Sequence, residues 1–154
     1  MVTRTAAAVL AALLALGAPG PALQVENAAG ERVALALDPD ERALLVHFWA
    51  SWCPECEEEL PGLERAMRDC TNEVRVVAVN VGESTDVARH FLERHGSGLP
   101  LLRDPDGRVW RALARGLPAN LIWTRAGRRV EVGPHAPDGW RRLLGSLGCH
   151  SINF

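Results

Sequence analysis

The stretch from Leu44 to Leu60 constrains this chain more than any other. Leu44-Leu45-Val46-His47-Phe48-Trp49-Ala50 is an apolar run with the length and composition of a buried strand. It turns at Ser51-Trp52 and continues into a segment that opens as a helix does. Pro54 stands at the first helical position, and Glu55, Glu57 and Glu58 crowd the first turn. Cys53 and Cys56 sit at the junction in a C-x-x-C spacing. The thiolate is the nucleophile, and a free thiol is mostly protonated at neutral pH. A helix start presents unpaired N–H groups and a partial positive charge, both of which stabilise a thiolate at the N-cap. The spacing therefore points to thiol–disulfide chemistry, with Cys53 as the exposed attacking sulfur and Cys56, one turn on, as the more buried resolving one. Pro54 costs no hydrogen bond there, because its missing N–H has no partner in the helix.

Phe48-Trp49-Ala50-Ser51-Trp52-Cys53-x-x-Cys56 resembles the active-site stretch of the thioredoxin fold. Glu59-x-Pro61-x-Leu63 and Asn80-Val81-Gly82-Glu83-Ser84 narrow the likeness to the ResA/TlpA branch of thiol–disulfide oxidoreductases, which face the outside of the bacterial cytoplasmic membrane. The resemblance runs over roughly residues 25–147. It implies an α/β, thioredoxin-like fold: a central mixed sheet with helices on both faces, here with an N-terminal β-hairpin extension.

The chain has 154 residues, the size of one domain with a self-sufficient core. Its net charge of −2 gives no reason to expect nucleic acid or an anionic membrane as partner. Residues 1–22 have the pattern of a secretory signal: a positive start at Arg4, an apolar run from Ala6 to Leu16, and a small, turn-prone end in which Gly20 and Ala22 fit a cleavage site. The run is short for a membrane span. An uncleaved N-terminal anchor is the other reading, because proteins of the resembled branch are often tethered this way. No Cys lies in this region for lipid attachment. Export places the remaining 23–154 domain, read as a monomer, where disulfides persist.

Along the chain, Leu23 to Glu26 and Arg32 to Ala36 flank Asn27-Ala28-Ala29-Gly30 as a hairpin. The helix after Cys53 is expected to reach Asp69, with Leu60, Leu63, Met67 and Cys70 on its buried side and a kink at Pro61. Val74 to Val81 is a second buried parallel strand. Thr85 to His95 is a helix with Val87, His90, Phe91 and Arg94 along one side. Asp104-Pro105-Asp106-Gly107 is a turn, and Val109 to Ala114 a short helix. Ala119 to Thr124 and Arg128 to Val132 form an antiparallel hairpin, and Pro137 to Leu147 the last helix.

The resemblance assigns roles to further residues. Pro118 matches the family's cis proline, which packs beside the disulfide and aims the backbone of Leu117 at an incoming peptide. With Trp52 and Pro54, Leu117 and Pro118 make up the candidate substrate surface. Glu83 stands where the family places a glutamate near the cysteine pair. It is a candidate to exchange a proton with Cys56, or else a loop residue that caps the next helix. His47 departs from the family, where the position carries aspartate or asparagine. It is a candidate proton shuttle, or else a neutral, hydrogen-bonded core residue. His90, His95, His135 and His150 have no sequence link to the site. In the resembled topology the active-site helix and the last helix start at the active-site end of the same face. Both then finish at the far end, so Cys70 and Cys149 are expected to form a structural disulfide; the other reading is two free thiols. No second C-x-x-C is present, so no metal site is read.

The resemblance implies a reductant of partner disulfides that needs no cofactor. Its expected partners are the cysteines of an apocytochrome c or of a copper-site protein, with a membrane electron donor to regenerate it. Negative charge at Glu55, Glu57, Glu58 and Glu59 opposes an accumulating thiolate, which favours a reductant over a strong oxidant. The non-enzyme alternative is a copper metallochaperone using Cys53 and Cys56 as soft ligands. The lesser alternative, a thiol peroxidase, calls for a Thr and an Arg beside the reactive cysteine.

Overall fold

The computed structural model describes residues 20–70 and 73–149. Residues 1–19, which carry most of the expected signal, and His150 lie outside the described residues. Among the described residues, no helix is long and apolar enough to cross a membrane.

The strands are β1 (Leu23–Asn27), β2 (Arg32–Leu35), β3 (Ala43–Trp49), β4 (Val74–Val81), β5 (Leu102–Asp104), β6 (Ala119–Thr124) and β7 (Gly127–Val132). The helices are α1 (Pro54–Asp69), α2 (Thr85–Arg94), α3 (Arg108–Leu113) and α4 (Pro137–Ser146). The strands form one sheet in the order β2-β1-β5-β4-β3-β6-β7. β3 and β4 pair in parallel, with Trp49 opposite Asn80. β3 and β6 pair antiparallel, with Phe48 opposite Ala119.

Every residue of β3 is buried, which explains its unbroken apolar sequence: both faces are covered. Alternate residues serve the two faces. Leu44, Val46 and Phe48 join Val79, Val81, Leu121 and Trp123 in a core closed by Val109, Trp110 and Leu113 of α3. Ala43 and Leu45 face the other way, against Leu63 of α1 and Trp140, Leu143 and Leu144 of α4. Trp49 and Ala78 continue that second face toward the active-site end, where they meet Leu60 of α1 and Ala88, Phe91 and Leu92 of α2. Helices therefore lie on both faces, as in thioredoxin-like proteins.

Two details differ from the sequence expectations. β5 had no expectation of its own, its Asp104 being expected only to open a turn; it is a strand between β1 and β4 that attaches the N-terminal hairpin to the sheet. On α2 the buried residues are Ala88, Phe91 and Leu92, whereas Val87, His90 and Arg94 face solvent. The apolar stripe is thus turned by about one residue from the expected one.

α1 and α4 pack closely at Gly62, where a Cβ would lie in ordinary contact, 3.4 Å from both Pro137 Cα and Trp140 Cδ1. At the far end of this pair, Cys70 and Cys149 form a disulfide with a Cα–Cα distance of 4.7 Å and a sequence separation of 79. A cross-link closing so long a loop contributes about 4 kcal/mol in the chain-entropy view. It fixes the outer end of the helix whose first turn carries the C-x-x-C pair.

Candidate active site

β3 delivers the chain to the N-terminus of α1, and Cys53 is its N-cap, in extended backbone conformation. The Cys53 sulfur accepts the Cys56 N–H at 3.2 Å. This is one of the N–H groups that a helix start leaves unpaired, and it stabilises negative charge on that sulfur once the pair is reduced. Cys53 and Cys56 are joined as a disulfide, Cα–Cα 5.2 Å. Both are buried, at 3% and 1% exposure. The expected difference in access is therefore small here. Each sulfur covers the other, and both belong to the cluster of Trp49, Leu60 and Phe91, on which Leu117 packs. Trp52 is the outward group of the turn, 65% exposed.

The Leu117–Pro118 peptide is cis. Because Phe48 pairs with Ala119, Pro118 falls beside the end of β3, where the chain turns toward Cys53. The Pro118 carbonyl accepts the N–H of Gly133 at 2.9 Å. Gly133 has φ +113, a conformation that side-chain-bearing residues rarely adopt. This turn leads out of β7 and into the segment carrying His135.

Glu83 lies at the turn before Cys53, near the cysteine pair, and does not cap the next helix. Its carboxylate accepts the Ser51 N–H at 2.9 Å, the Ser51 hydroxyl at 2.5 Å and the Asn80 side-chain amide at 2.7 Å. It is committed to the turn before Cys53, and α2 is capped instead by the Ser84 hydroxyl. Glu83 is a positioning residue that ties the Ser51-Trp52 turn to the end of β4. Glu83→Ala strips the acceptor from the Ser51 N–H and from the buried Asn80 amide. Urea unfolding of this variant is expected to show a loss of about 2–3 kcal/mol, and an unchanged midpoint would show the carboxylate to be dispensable.

His47 is fully buried. Its Nδ1 lies 2.9 Å from the Asn120 side-chain carbonyl oxygen, so Nδ1 carries the hydrogen and donates it. Its Nε2 lies 3.3 Å from Oε1 of Glu59, which is also buried. Burial pushes the His47 pKa down to about 4, and burial pushes the Glu59 pKa up to about 7. The other Glu59 oxygen accepts the His135 backbone N–H at 2.7 Å. Trp140 packs against both imidazoles, edge-on to His47 at 5.5 Å and tilted to His135 at 4.8 Å. At neutral pH His47 is therefore uncharged.

Glu59 was grouped with the exposed glutamates of the first turn, and His135 was assigned nothing. Yet Cys56, Glu59, Leu60 and Leu63 follow the i, i+3, i+4, i+7 pattern of one buried face. A carboxyl group inside that stripe, one turn after a redox cysteine, was the available signal. His135 had none: only the packing of α4 on α1 brings it to Glu59. Glu57 is also less free than its neighbours, since His95 Nε2 lies 2.7 Å from it. A hydrogen bond to the Phe91 carbonyl, then the bond to Glu57, raise the His95 pKa.

Residues 16–127 match the AhpC/TSA family. The chain belongs to that family. The thiol-disulfide oxidoreductase ResA of Bacillus subtilis is 30% identical over 118 residues, which cover 75% of this chain and 65% of ResA. The chain thus spans just under two thirds of the length of such curated relatives. A thiol:disulfide interchange protein of the thioredoxin family from Chlorobium tepidum superposes with a TM-score of 0.68 at 20% identity, covering 85% of this chain and 96% of that one. A second from the same organism, described as a putative DsbE, gives 0.66 at 25% identity, with 86% and 97% covered. These neighbours establish the thioredoxin-like fold.

Proposed function

We propose that this AhpC/TSA-family chain is an extracytoplasmic thiol–disulfide oxidoreductase that reduces disulfides of partner proteins. One observation carries the reading: the Cys53 sulfur caps α1 and accepts the Cys56 N–H, with Cys56 bonded to it one turn on. The cis Leu117–Pro118 peptide and the exposed Trp52 beside the pair support a peptide-binding rim. The first-turn glutamates support the reducing direction.

In the cycle, the Cys53 thiolate attacks one sulfur of the partner's disulfide. That S–S bond breaks, and the departing partner thiolate takes up a proton. Cys56 then loses its proton to the Glu59 carboxylate and attacks the Cys53 sulfur. The second partner thiolate leaves and is protonated, and two electrons have passed to the partner. A membrane electron donor returns two electrons and two protons to the pair. The client class the resemblance suggests is an apocytochrome c or a copper-site protein whose cysteines must be reduced before they bind their group.

The deciding measurement is the reduction potential of Cys53–Cys56 in a domain starting at residue 23, with Cys70 and Cys149 replaced by Ser. A value of about −250 mV or below is expected, in the range of reductants. A value near about −120 mV would reverse the direction and make the chain a disulfide donor.

A further inference from the structure

Five buried polar side-chain atoms without a hydrogen-bond partner among the described residues gather in one place: His47 Nε2, Glu59 Oε1, Asn120 Nδ2, His135 Nδ1 and Trp140 Nε1. Buried polar groups are nearly always paired, so such a concentration calls for an explanation. The ionisable members come from separate elements: His47 from β3, Glu59 from α1, His135 from the segment before α4, and Glu131 at the rim from β7. Asn120 of β6 and Trp140 of α4 complete the cluster and carry no charge.

The donors and acceptors fix where protons sit. Asn120 accepts from His47 Nδ1, which leaves the Nε2 lone pair facing Glu59 Oε1 at 3.3 Å. Two acceptors at that distance need a proton between them, and the carboxyl group carries it. At the other side, His135 straddles the boundary of the cluster. Its Nε2 lies 3.3 Å from Oε2 of Glu131, a carboxylate 37% exposed. Its Nδ1 is buried without a partner. With Nε2–H donated to Glu131, the Nδ1 lone pair is turned inward as an acceptor.

We propose that His47, Glu59 and His135 form a proton relay between Cys56 and solvent: His47 and Glu59 share one proton, and His135 passes it to and from Glu131 at the surface. The inference rests on the redox reading above and deepens it. As Cys56 resolves a mixed disulfide, the carboxyl proton of Glu59 first moves to His135 Nδ1 while His135 Nε2–H leaves toward Glu131 and water. The Glu59 carboxylate this frees, one helical turn from Cys56, then takes the Cys56 thiol proton. His135 ends in the other tautomer, with one proton exported and no charge stranded in the core. The buried position of Glu59 makes such an outlet necessary, since no solvent reaches the carboxyl group directly. His47 Nε2 holds the shared proton in place between turnovers.

The test is stopped-flow oxidation of the reduced full chain by an aromatic disulfide, 5,5′-dithiobis(2-nitrobenzoate), with the Cys70–Cys149 bond intact. Attack by Cys53 releases one thionitrobenzoate in a bimolecular phase, and resolution by Cys56 releases the second in a unimolecular phase. In His135→Gln the second phase is expected to slow about 10-fold at neutral pH, below the ~100-fold of a direct general base, while the first is unchanged. Imidazole buffer is expected to restore it, which no structural defect would allow. Glu131→Gln, a surface change that leaves the fold intact, is expected to slow the same phase about 3-fold, with the same rescue. A second phase that stays at the wild-type rate in both variants, or a slowing that imidazole does not relieve, overturns the relay. A wild-type chain that shows no unimolecular phase overturns the redox reading, and the relay with it.

Discussion

Replacing Cys56 by Ser is expected to turn the chain into a covalent trap. Cys53 still caps α1 and still attacks a partner disulfide, but no second sulfur stands one turn away to release the product. Mixed disulfides between Cys53 and the client should accumulate, stable on non-reducing gels and released by dithiothreitol. Turnover of a disulfide substrate should fall by about 1,000-fold or more, and the Cys53→Ser/Cys56→Ser double variant should be no slower than either single one, because the two sulfurs act as a unit. The asymmetry decides the assignment. If Cys53→Ser were the variant that traps clients, Cys56 would be the attacking sulfur and the N-cap argument would be wrong. The trapped proteins also identify the client directly. Cysteines of an unfolded cytochrome or of a copper-binding protein would support the resemblance, whereas a broad set of folding substrates would point to general disulfide traffic.

The architecture was legible where burial follows the chain's own period. β3 and β4 are apolar on both faces because the sheet is covered on both, and α1 and α4 show one buried stripe each. β5 was not legible. Its three residues include Arg103 and Asp104, both buried. Asp104 is occupied in receiving the backbone N–H groups of Val109 and Trp110 at the start of α3. A strand made of polar residues that serve neighbouring elements carries no period of its own. The α2 stripe was misjudged for a related reason: Val87 is apolar yet lies in the exposed first turn, while the small Ala88 is the residue that fits against the sheet.

At the site, the cysteines and the Trp52 turn were legible because they share one local stretch of chain, and the cis proline was legible only through the family resemblance. Glu83 was located but not understood. Its three hydrogen bonds come from Ser51 and Asn80, and only the folded register places Ser51 within its reach. Glu59 and His135 depend on the third dimension altogether. Five glutamates lie between Glu55 and Glu64, and the sequence does not mark which one turns inward. The packing of α4 against Gly62 makes that distinction, since it brings Trp140 and His135 down onto Glu59 and His47.

That buried pair has a consequence for stability that the wild-type protein conceals. Burial raises the Glu59 pKa from 4.5 to about 7, so between those values the folded state holds a proton that the unfolded state has lost. By linkage this contribution is fully present below pH 4.5 and disappears as the pH rises to about 7. Burial lowers the His47 pKa from 6.5 to about 4, so here the unfolded state holds the extra proton. This contribution is fully present above pH 6.5 and disappears as the pH falls to about 4. The two slopes oppose each other over nearly the same window, and folded and unfolded states each carry one proton on the pair through most of it. The wild type should therefore show almost no pH dependence from this pair. Each single variant exposes the other partner. Relative to wild type, Glu59→Gln should become more stable by about 3 kcal/mol as the pH rises from about 4 to 6.5, and His47→Asn less stable by about 3 kcal/mol between about 4.5 and 7. Urea unfolding across this range, with both disulfides intact, reads the slopes directly. A wild type whose stability falls both below about pH 4.5 and above about pH 6.5 would mean instead that the pair is an ordinary buried ion pair, with the histidine cationic and the carboxylate ionised. The proton would then lie on His47, and the tautomer that Asn120 imposes would no longer decide where it sits.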